Sequence, residues 1–199
     1  MDGLRERKKR ETRIALSWAA VRLAVERGYE NVRVEDIAAE VGVSARTFNN
    51  YFTSKAEAIA ARQLERAAVI ADELRARPAD EPLWDAITAA VLTRFALGSD
   101  PGHGDEQWLA GVRLMVAEPA LQPEFLRVNA LVEAELAAAI ADRTGTDVER
   151  DLYPRLVATT VGAAIETATA HWLRAGPPEG MEDLLTDALR QVAAGLPTP

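Results

Sequence analysis

The sequence predicts an all-α fold of about nine helices. Three observations predict it. Apolar residues recur at three- and four-residue spacing through most of the chain, as a buried helix face requires. No stretch sustains the alternation of a half-buried strand, and Ala and Leu outweigh Val, Ile and Thr. Glycine and proline fall between the periodic stretches, where they end helices. Apolar residues make up 48% of the 199, which is enough for a packed interior and excludes wholesale disorder.

The elements follow in order. A first helix is expected from Arg5 to Arg27, stopped at Gly28. It carries two apolar stripes, Leu16-Ala20-Leu23 and Ile14-Trp18-Val21-Val25, so it should pack on two sides. A second helix runs from Val34 to Val41, with Glu35 and Asp36 in the first turn where the helix dipole favours acids, and ends at Gly42. Ser44 caps a third, Ala45 to Tyr51. Ser54, with Glu57 three residues on, opens a fourth that runs to about Arg77. Five more are expected near 82–97, 106–117, 123–143, 148–175 and 181–195. The breaks between them are Gly98 to Gly104, Glu118-Pro119, Thr144 to Thr146 and Gly176 to Gly180, with Pro154 in or before the opening turns of the long eighth helix.

Charge is divided along the chain. Residues 1–55 hold eleven Lys/Arg against eight Asp/Glu, a balance of +3, whereas 56–199 hold twelve against twenty-three, a balance of −11, giving the net −8. An acidic majority repels phosphate, so any nucleic-acid contact belongs to the basic end. Arg5, Arg7, Lys8, Lys9 and Arg10 form a basic arm there. Such a run alone is equally a solvated terminus.

The informative stretch is Ile37 to Lys55, IAAEVGVSARTFNNYFTSK. Two short helices meet across Val41-Gly42-Val43, a turn that needs a residue tolerant of positive φ. Val43 should plug the space between the helices, and Ile37, Ala38, Val41, Phe48 and Phe52 supply a small core. Ala45, Arg46, Thr47, Asn49, Asn50 and Tyr51 then occupy the other faces of the third helix, behind its cap Ser44. Donors of these types suit phosphates and base edges. Lys55 adds charge to the N–H groups opening the fourth helix. A helical hairpin with polar faces that never touches DNA has the same spacing; the basic arm and the charge division favour the DNA reader.

Residues Arg10 to Lys55 resemble the N-terminal domain of the TetR family of bacterial transcriptional regulators. The resemblance is carried by Arg13, Leu16, Ala19-Ala20, Leu23, Glu26-Arg27-Gly28, Val34, Asp36-Ile37-Ala38, Gly42-Val43-Ser44, Thr47-Phe48, Tyr51-Phe52 and Ser54-Lys55. It implies a three-helix DNA-binding domain over 1–55 and a helical effector-binding and dimerisation domain over 56–199. It also implies a repressor that releases DNA when a small molecule binds. By the same resemblance Thr47, Tyr51 and Lys55 contact backbone phosphates, and Ala45 and Arg46 read bases. The chain departs from the family pattern at Asn49, where a Tyr or Phe is usual, and at Arg33, where a Thr is usual. Arg33 loses a helix cap and gains a cation for phosphate. Val41 stands where Ala or Ser is common.

The second domain resembles a C-terminal domain of regulators of the mycofactocin type, through Leu114 to Leu126 with its Glu118-Pro119-Ala120-Leu121 core, and through Tyr153 to Ala158. Arg46-Thr47-Phe48 followed by Asn50-Tyr51-Phe52 agrees with it. That resemblance implies an acyl-CoA-like or other lipophilic effector. Its pocket is sought among Trp84, Phe95, Trp108, Arg113, Met115, Phe125, Asn129, Glu166, His171 and Trp172. Aromatics at helical spacing are more often core than ligand cage, and His171 is more often a surface residue.

The last two helices form an antiparallel hairpin, and two copies can make a four-helix bundle about a two-fold axis. Ala158, Gly162 and Ala168 allow close approach, and Leu185, Leu189 and Val192 supply the apolar side. A homodimer is also required by the reader, because one short helix spans few base pairs and a palindromic operator offers two half-sites. Closure of a monomer core by the same helices is the plainer alternative.

Other classes are excluded or outweighed. No cysteine is present, so disulfides and thiolate chemistry are absent. His103 and His171 leave acid–base catalysis few options, and no HExxH, GxSxG, P-loop or GxGxxG occurs. Glu133 and Glu135 lie two apart on a helix and form no metal pair. An enzyme and a cofactor are therefore not expected; a helical interaction module without DNA binding is the third reading. The charged start lacks the apolar run of a signal peptide, and no apolar stretch reaches the ~18 residues of a membrane span. A cytoplasmic location without membrane contact is expected.

Overall fold

The computed structural model describes residues 2–96, 105–175 and 180–198. Among them are nine α-helices, two 3-10 turns and no strand. The helices are α1 (Asp2–Arg27), α2 (Val34–Glu40), α3 (Ala45–Asn49), α4 (Lys55–Ala76), α5 (Leu83–Ala96), α6 (Asp105–Ala117), α7 (Gln122–Thr144), α8 (Leu152–Ala175) and α9 (Met181–Ala193). The 3-10 turns, Tyr29–Asn31 and Pro119–Leu121, were not legible as periodicity because three residues complete only one turn. α1 begins at Asp2, so the basic arm is helical rather than extended. α8 begins at Leu152 rather than near 148, because Asp147 turns its carboxylate onto the N–H groups of Glu149 and Arg150 at 2.8 and 3.2 Å. Pro154 then falls in the first turn, where its missing N–H costs nothing.

The chain forms two compact units, taken over their described residues: Met1–Glu65 with Pro101–Val128, and Arg66–Asp100 with Asn129–Pro199. These do not follow the 55/56 boundary read from the sequence. The first unit keeps the start of α4, and it gains α6, the second 3-10 turn and the start of α7.

The first unit is built on α1. Leu16, Ala20 and Leu23 are buried, and so is Val21 on the other stripe. Ile37 of α2, Phe48 of α3, Ile59 of α4 and Phe52 from the link between α3 and α4 close the core. Leu121 enters the same core at 2% exposure, with Leu114 and Met115 packed against it. α6 comes close to α1 at Gly111, where an added Cβ would stand 3.0 Å from Val21 Cγ1. Ser17, buried in α1, donates to the Ala58 carbonyl at 2.6 Å and so ties α1 to α4 without an unpaired hydroxyl.

The second unit packs α9 against α8 and α5. Its buried apolar residues include Ile70 and Leu74 of α4, Ile87 and Val91 of α5, Leu136 and Ile140 of α7, Val157 and Val161 of α8, and Leu185 and Leu189 of α9. The Arg143 guanidinium near the end of α7 donates to the carbonyls of Arg77 at 3.2 Å and Glu81 at 2.8 Å, and also to that of Pro78. It thereby ties the end of α7 to the link between α4 and α5, where the Pro78 carbonyl also accepts the Glu81 N–H at 3.2 Å.

Candidate nucleic-acid interface

The turn between α2 and α3 is a Schellman stop. The Val43 N–H donates to the Ala38 carbonyl at 2.9 Å and the Gly42 N–H to the Ala39 carbonyl at 3.0 Å. The motif places one residue in the left-handed region, and Gly42 has φ +74°. Val43 packs on the core, as the plug that its position predicts. On the far side Arg22 of α1 pairs with Glu40 at the end of α2, and with Glu26 at 3.2 Å, which holds α2 against α1.

Ser44 caps α3: its Oγ accepts from the Thr47 N–H at 3.1 Å and lies 2.9 Å from Thr47 Oγ1, sharing a hydroxyl proton. α3 is shorter than expected. It ends at Asn49, and the chain tightens into three-residue bonds, Asn50 N–H to the Thr47 carbonyl at 3.1 Å and Tyr51 N–H to the Phe48 carbonyl at 2.8 Å. Phe48 and Phe52 are buried with ring centroids 5.6 Å apart. Arg46, Asn49 and Asn50 are exposed, while Ala45, Thr47 and Tyr51 are half-buried. One side of this short element is thus anchored and the other is polar and open.

Arg13 sets the far end of the reader. Its guanidinium donates to the Tyr51 carbonyl at 3.0 Å and its Cζ lies 4.5 Å from the Phe52 ring centroid. Sequence reasoning missed this role, since no spacing links residues 38 apart.

At Arg33, the N-cap of α2, only half of a capping box can form. The Arg33 N–H donates to Asp36 Oδ2 at 2.9 Å, but a guanidinium has no acceptor to return the bond. The Arg33 side chain is exposed. At α4 the box is displaced by one residue. Ser54 Oγ accepts from the Glu57 N–H at 3.0 Å, while Glu57 Oε2 accepts from both the N–H and the hydroxyl of Thr53 at 2.7 Å. Burial alone raises the Glu57 pKa. The Thr53 bonds and the Arg127 and Arg13 charges outweigh it and hold the carboxyl below its ordinary value.

Lys55 opens α4, where the sequence puts it. Its half-buried ammonium donates to the carbonyls of Tyr29 at 2.7 Å and Val32 at 3.0 Å, and stands 4.0 Å from the Tyr29 ring centroid. Burial, then the charges of Glu30 and Glu118, push the Tyr29 phenol above its ordinary pKa. Arg5, Arg7, Lys8, Lys9 and Arg10 are exposed on the opening turns of α1, and Arg7 pairs with Glu11 at 3.5 Å.

The effector candidates separate. Trp84, Met115, Phe125, Asn129 and Trp172 are half-buried; Met115 and Phe125 belong to the first unit, and Trp84, Asn129 and Trp172 to the second. Arg113, Glu166 and His171 are exposed, against the inward placement expected of them. The buried stripe of α8 runs Val161, Ala164, Ala168 and on to Trp172, so Glu166 and His171 fall off it. Arg113 lies two residues from buried Gly111, on the other side of α6. The side chains of Phe95 and Trp108 lie outside the described residues.

Of the dimer candidates, Ala158, Ala168, Leu185 and Leu189 are already buried within one protomer. Gly162 and Val192 are half-buried, and an added Cβ at Gly162 would stand 3.2 Å from Glu133 Oε1 of α7. Exposed large apolar side chains among the described residues are Leu152 at 75%, Tyr153 and Leu156 of α8, Leu126 and Leu131 of α7, Val116 of α6, and Leu196.

Among the described residues no group of three or more His, Asp or Glu is placed to hold a metal ion, and no helix is long and apolar enough to cross a membrane. Residues 18–61 match the family described as bacterial regulatory proteins, tetR family, and residues 81–197 match the MftR C-terminal domain. The chain belongs to the TetR family of bacterial transcriptional regulators. The HTH-type transcriptional regulator TcmR of Streptomyces glaucescens is 36% identical over 175 residues, covering 85% of this chain and 76% of TcmR. A relative from Mycobacterium tuberculosis that carries the name mycofactocin biosynthesis transcriptional regulator MftR is 28% identical over 194 residues, covering 96% of this chain and 93% of its own. Among solved structures, the fatty acid degradation regulator FadR of Bacillus halodurans superposes with a TM-score of 0.63 at 16% identity, covering 94% of this chain and 97% of FadR. TetR-family proteins are DNA-binding regulators rather than enzymes, and they usually act as dimers with small-molecule effectors. In this TetR regulator the helix-turn-helix comprises α2, the Gly42 turn and α3.

Proposed function

We propose that this TetR regulator binds a palindromic operator as a homodimer and represses transcription until a small lipophilic or acyl-CoA-like effector releases it. In this reading residues 1–55 carry the DNA contacts, and 56–199 carry the effector and dimer functions. The observation that supports DNA reading is the two-sided character of α3: Phe48 and Phe52 are buried, while Arg46, Asn49 and Asn50 are exposed. Arg46 and the small Ala45 at the start of α3 meet base edges, where a guanidinium pairs best with guanine. Asn49 and Asn50 lie at its end. Arg33, Ser44, Thr47 and Tyr51 flank it for phosphates, and the helical arm from Arg5 to Arg10 adds a second line of cations.

Dimerisation is assigned to the exposed stripe of α8, Leu152, Leu156, Thr159 and Ala163, spaced as one helix face. Its support is the cost of leaving two leucines in water. For the effector, the support is the match to the MftR C-terminal domain and the half-buried Trp84 and Trp172 of the second unit.

A gel shift on the DNA upstream of the protein's own gene tests the DNA reading. Sequence-specific retardation that fades steeply with salt supports it. No retardation on any promoter at low salt defeats it. Mass spectrometry of natively purified protein tests the effector class, with a lipid or acyl-CoA mass expected. Candidate ligands that bind without changing operator affinity remove the coupling.

A further inference from the structure

We infer that Lys55 is a positioning residue for the DNA reader, its charge held by the protein's own carbonyls rather than by phosphate. The inference rests on the DNA-reading assignment above.

An ammonium has three N–H donors. Two of those of Lys55 are taken by the carbonyls of Tyr29 and Val32 at 2.7 and 3.0 Å. The face of the Tyr29 ring, 4.0 Å away, stabilises the cation further. These acceptors are not incidental. Tyr29 and Val32 bracket the 3-10 turn that joins α1 to α2, and the Tyr29 carbonyl also receives the Val32 N–H at 3.3 Å. A carbonyl oxygen has two lone pairs, so the Tyr29 carbonyl can hold the ammonium beside the Val32 N–H, and the ammonium's charge strengthens both of its bonds.

The clamp links parts of the reader that are distant in sequence. Lys55 is the first residue of α4, immediately after the Ser54 cap, and α3 ends six residues before it. Val32 precedes Arg33, the N-cap of α2. One side chain therefore fixes the start of α2 against the start of α4, and α3 lies between them in the chain. Moving the ammonium to a phosphate would break two charge-assisted bonds to a half-buried pair of carbonyls, which is costly when the alternative acceptor is solvated.

The test uses the whole wild-type chain and exploits its three lysines, Lys8, Lys9 and Lys55. An amine-reactive ester is applied and labelling of each lysine is followed by peptide mass spectrometry, with and without operator DNA. Expected is Lys55 labelling about tenfold slower than exposed Lys8 and Lys9 in the free protein, with little further protection on DNA. Lys55 labelling as fast as the arm when free, and becoming protected on DNA, would overturn the inference.

A second arm measures operator affinity against salt for Lys55→Met and Lys55→Arg. A positioning role predicts roughly tenfold weaker binding for Lys55→Met with the salt slope unchanged, and recovery in Lys55→Arg, whose fork can still reach both carbonyls. A slope smaller by about one per protomer marks a phosphate contact, and unchanged affinity of the folded protein marks a merely stabilising residue. Either outcome defeats the proposal. Should wild-type protein show no salt-dependent operator binding, the DNA reading itself fails, and the labelling of the free protein still judges the clamp.

Discussion

Arg13 of α1 holds the backbone of Tyr51: the guanidinium donates to the Tyr51 carbonyl at 3.0 Å. With the Phe52 ring beneath the same guanidinium, α1 governs where the reading helix ends. Arg13→Ala should lower stability by about 1–2 kcal/mol, since it removes a charge-assisted bond and a cation–π contact. It should also weaken operator binding by the folded protein, because the end of α3 loses its tether. Thermal unfolding and gel shift on the same sample check both. Stability lost without any change in affinity would confine Arg13 to folding.

Gly42→Ala isolates backbone strain. An added Cβ meets nothing within 4 Å, yet φ is +74°. The expected cost is about 1–2 kcal/mol, the price of a left-handed L-residue, with Gly42→Asn closer to wild type. Urea unfolding midpoints of the three proteins test the order.

At Gly111 the reverse holds, for space and not dihedral is the limit. Gly111→Val should destabilise by about 1–3 kcal/mol through overpacking against Val21. The Val21→Ala change in the same chain should recover part of that loss, so the two substitutions will be non-additive in unfolding measurements. Strict additivity would show that α6 yields freely at this point.

Glu57 gives a signed pH dependence. Its carboxyl is held below its ordinary pKa in the folded chain, despite the opposing effect of burial. Such a group stabilises the fold when ionised. The contribution is present above its unfolded pKa and is lost as pH falls through the folded one. The stability gap between wild type and Glu57→Gln should therefore be widest near neutrality and narrow on acidification. A gap that widens on acidification would contradict the Thr53 bonds.

Leu156 and Leu185 offer a contrast between surface and core. Leu156 is 55% exposed and Leu185 is fully buried. Leu156→Glu should leave a folded chain that sediments as a monomer, whereas Leu185→Glu should prevent folding, since an unpaired charge would enter the core. A Leu156→Glu protein that still sediments as a dimer places the interface elsewhere.

The helices were legible because their apolar faces repeat over many residues, and the Gly42 turn was legible because few residues tolerate its φ. What escaped was of two kinds. Contacts such as Arg13 to Tyr51 and Lys55 to Tyr29 go from a side chain to backbone carbonyls, and every residue has a carbonyl, so composition carries no trace of them. The small residues of α8 escaped for another reason. Small residues at helical spacing serve a neighbour in the chain and a neighbour in a dimer alike, and Ala158 and Ala168 are buried within the protomer itself. Arg113, Glu166 and His171 were assigned inward by their chemistry, though the helical period already placed Glu166 opposite Ala164.

The burial of Leu121 in the same core as Phe48 and Ile37 has a consequence for biosynthesis and for transplantation. The reading head is discontinuous: its core is incomplete until the chain has grown past residue 121, long after α3 has left the ribosome. A chimera that carries only the first 55 residues onto a foreign body would leave a hole where Leu121 sits. Grafts that preserve the reader's stability must bring the 105–128 segment with it.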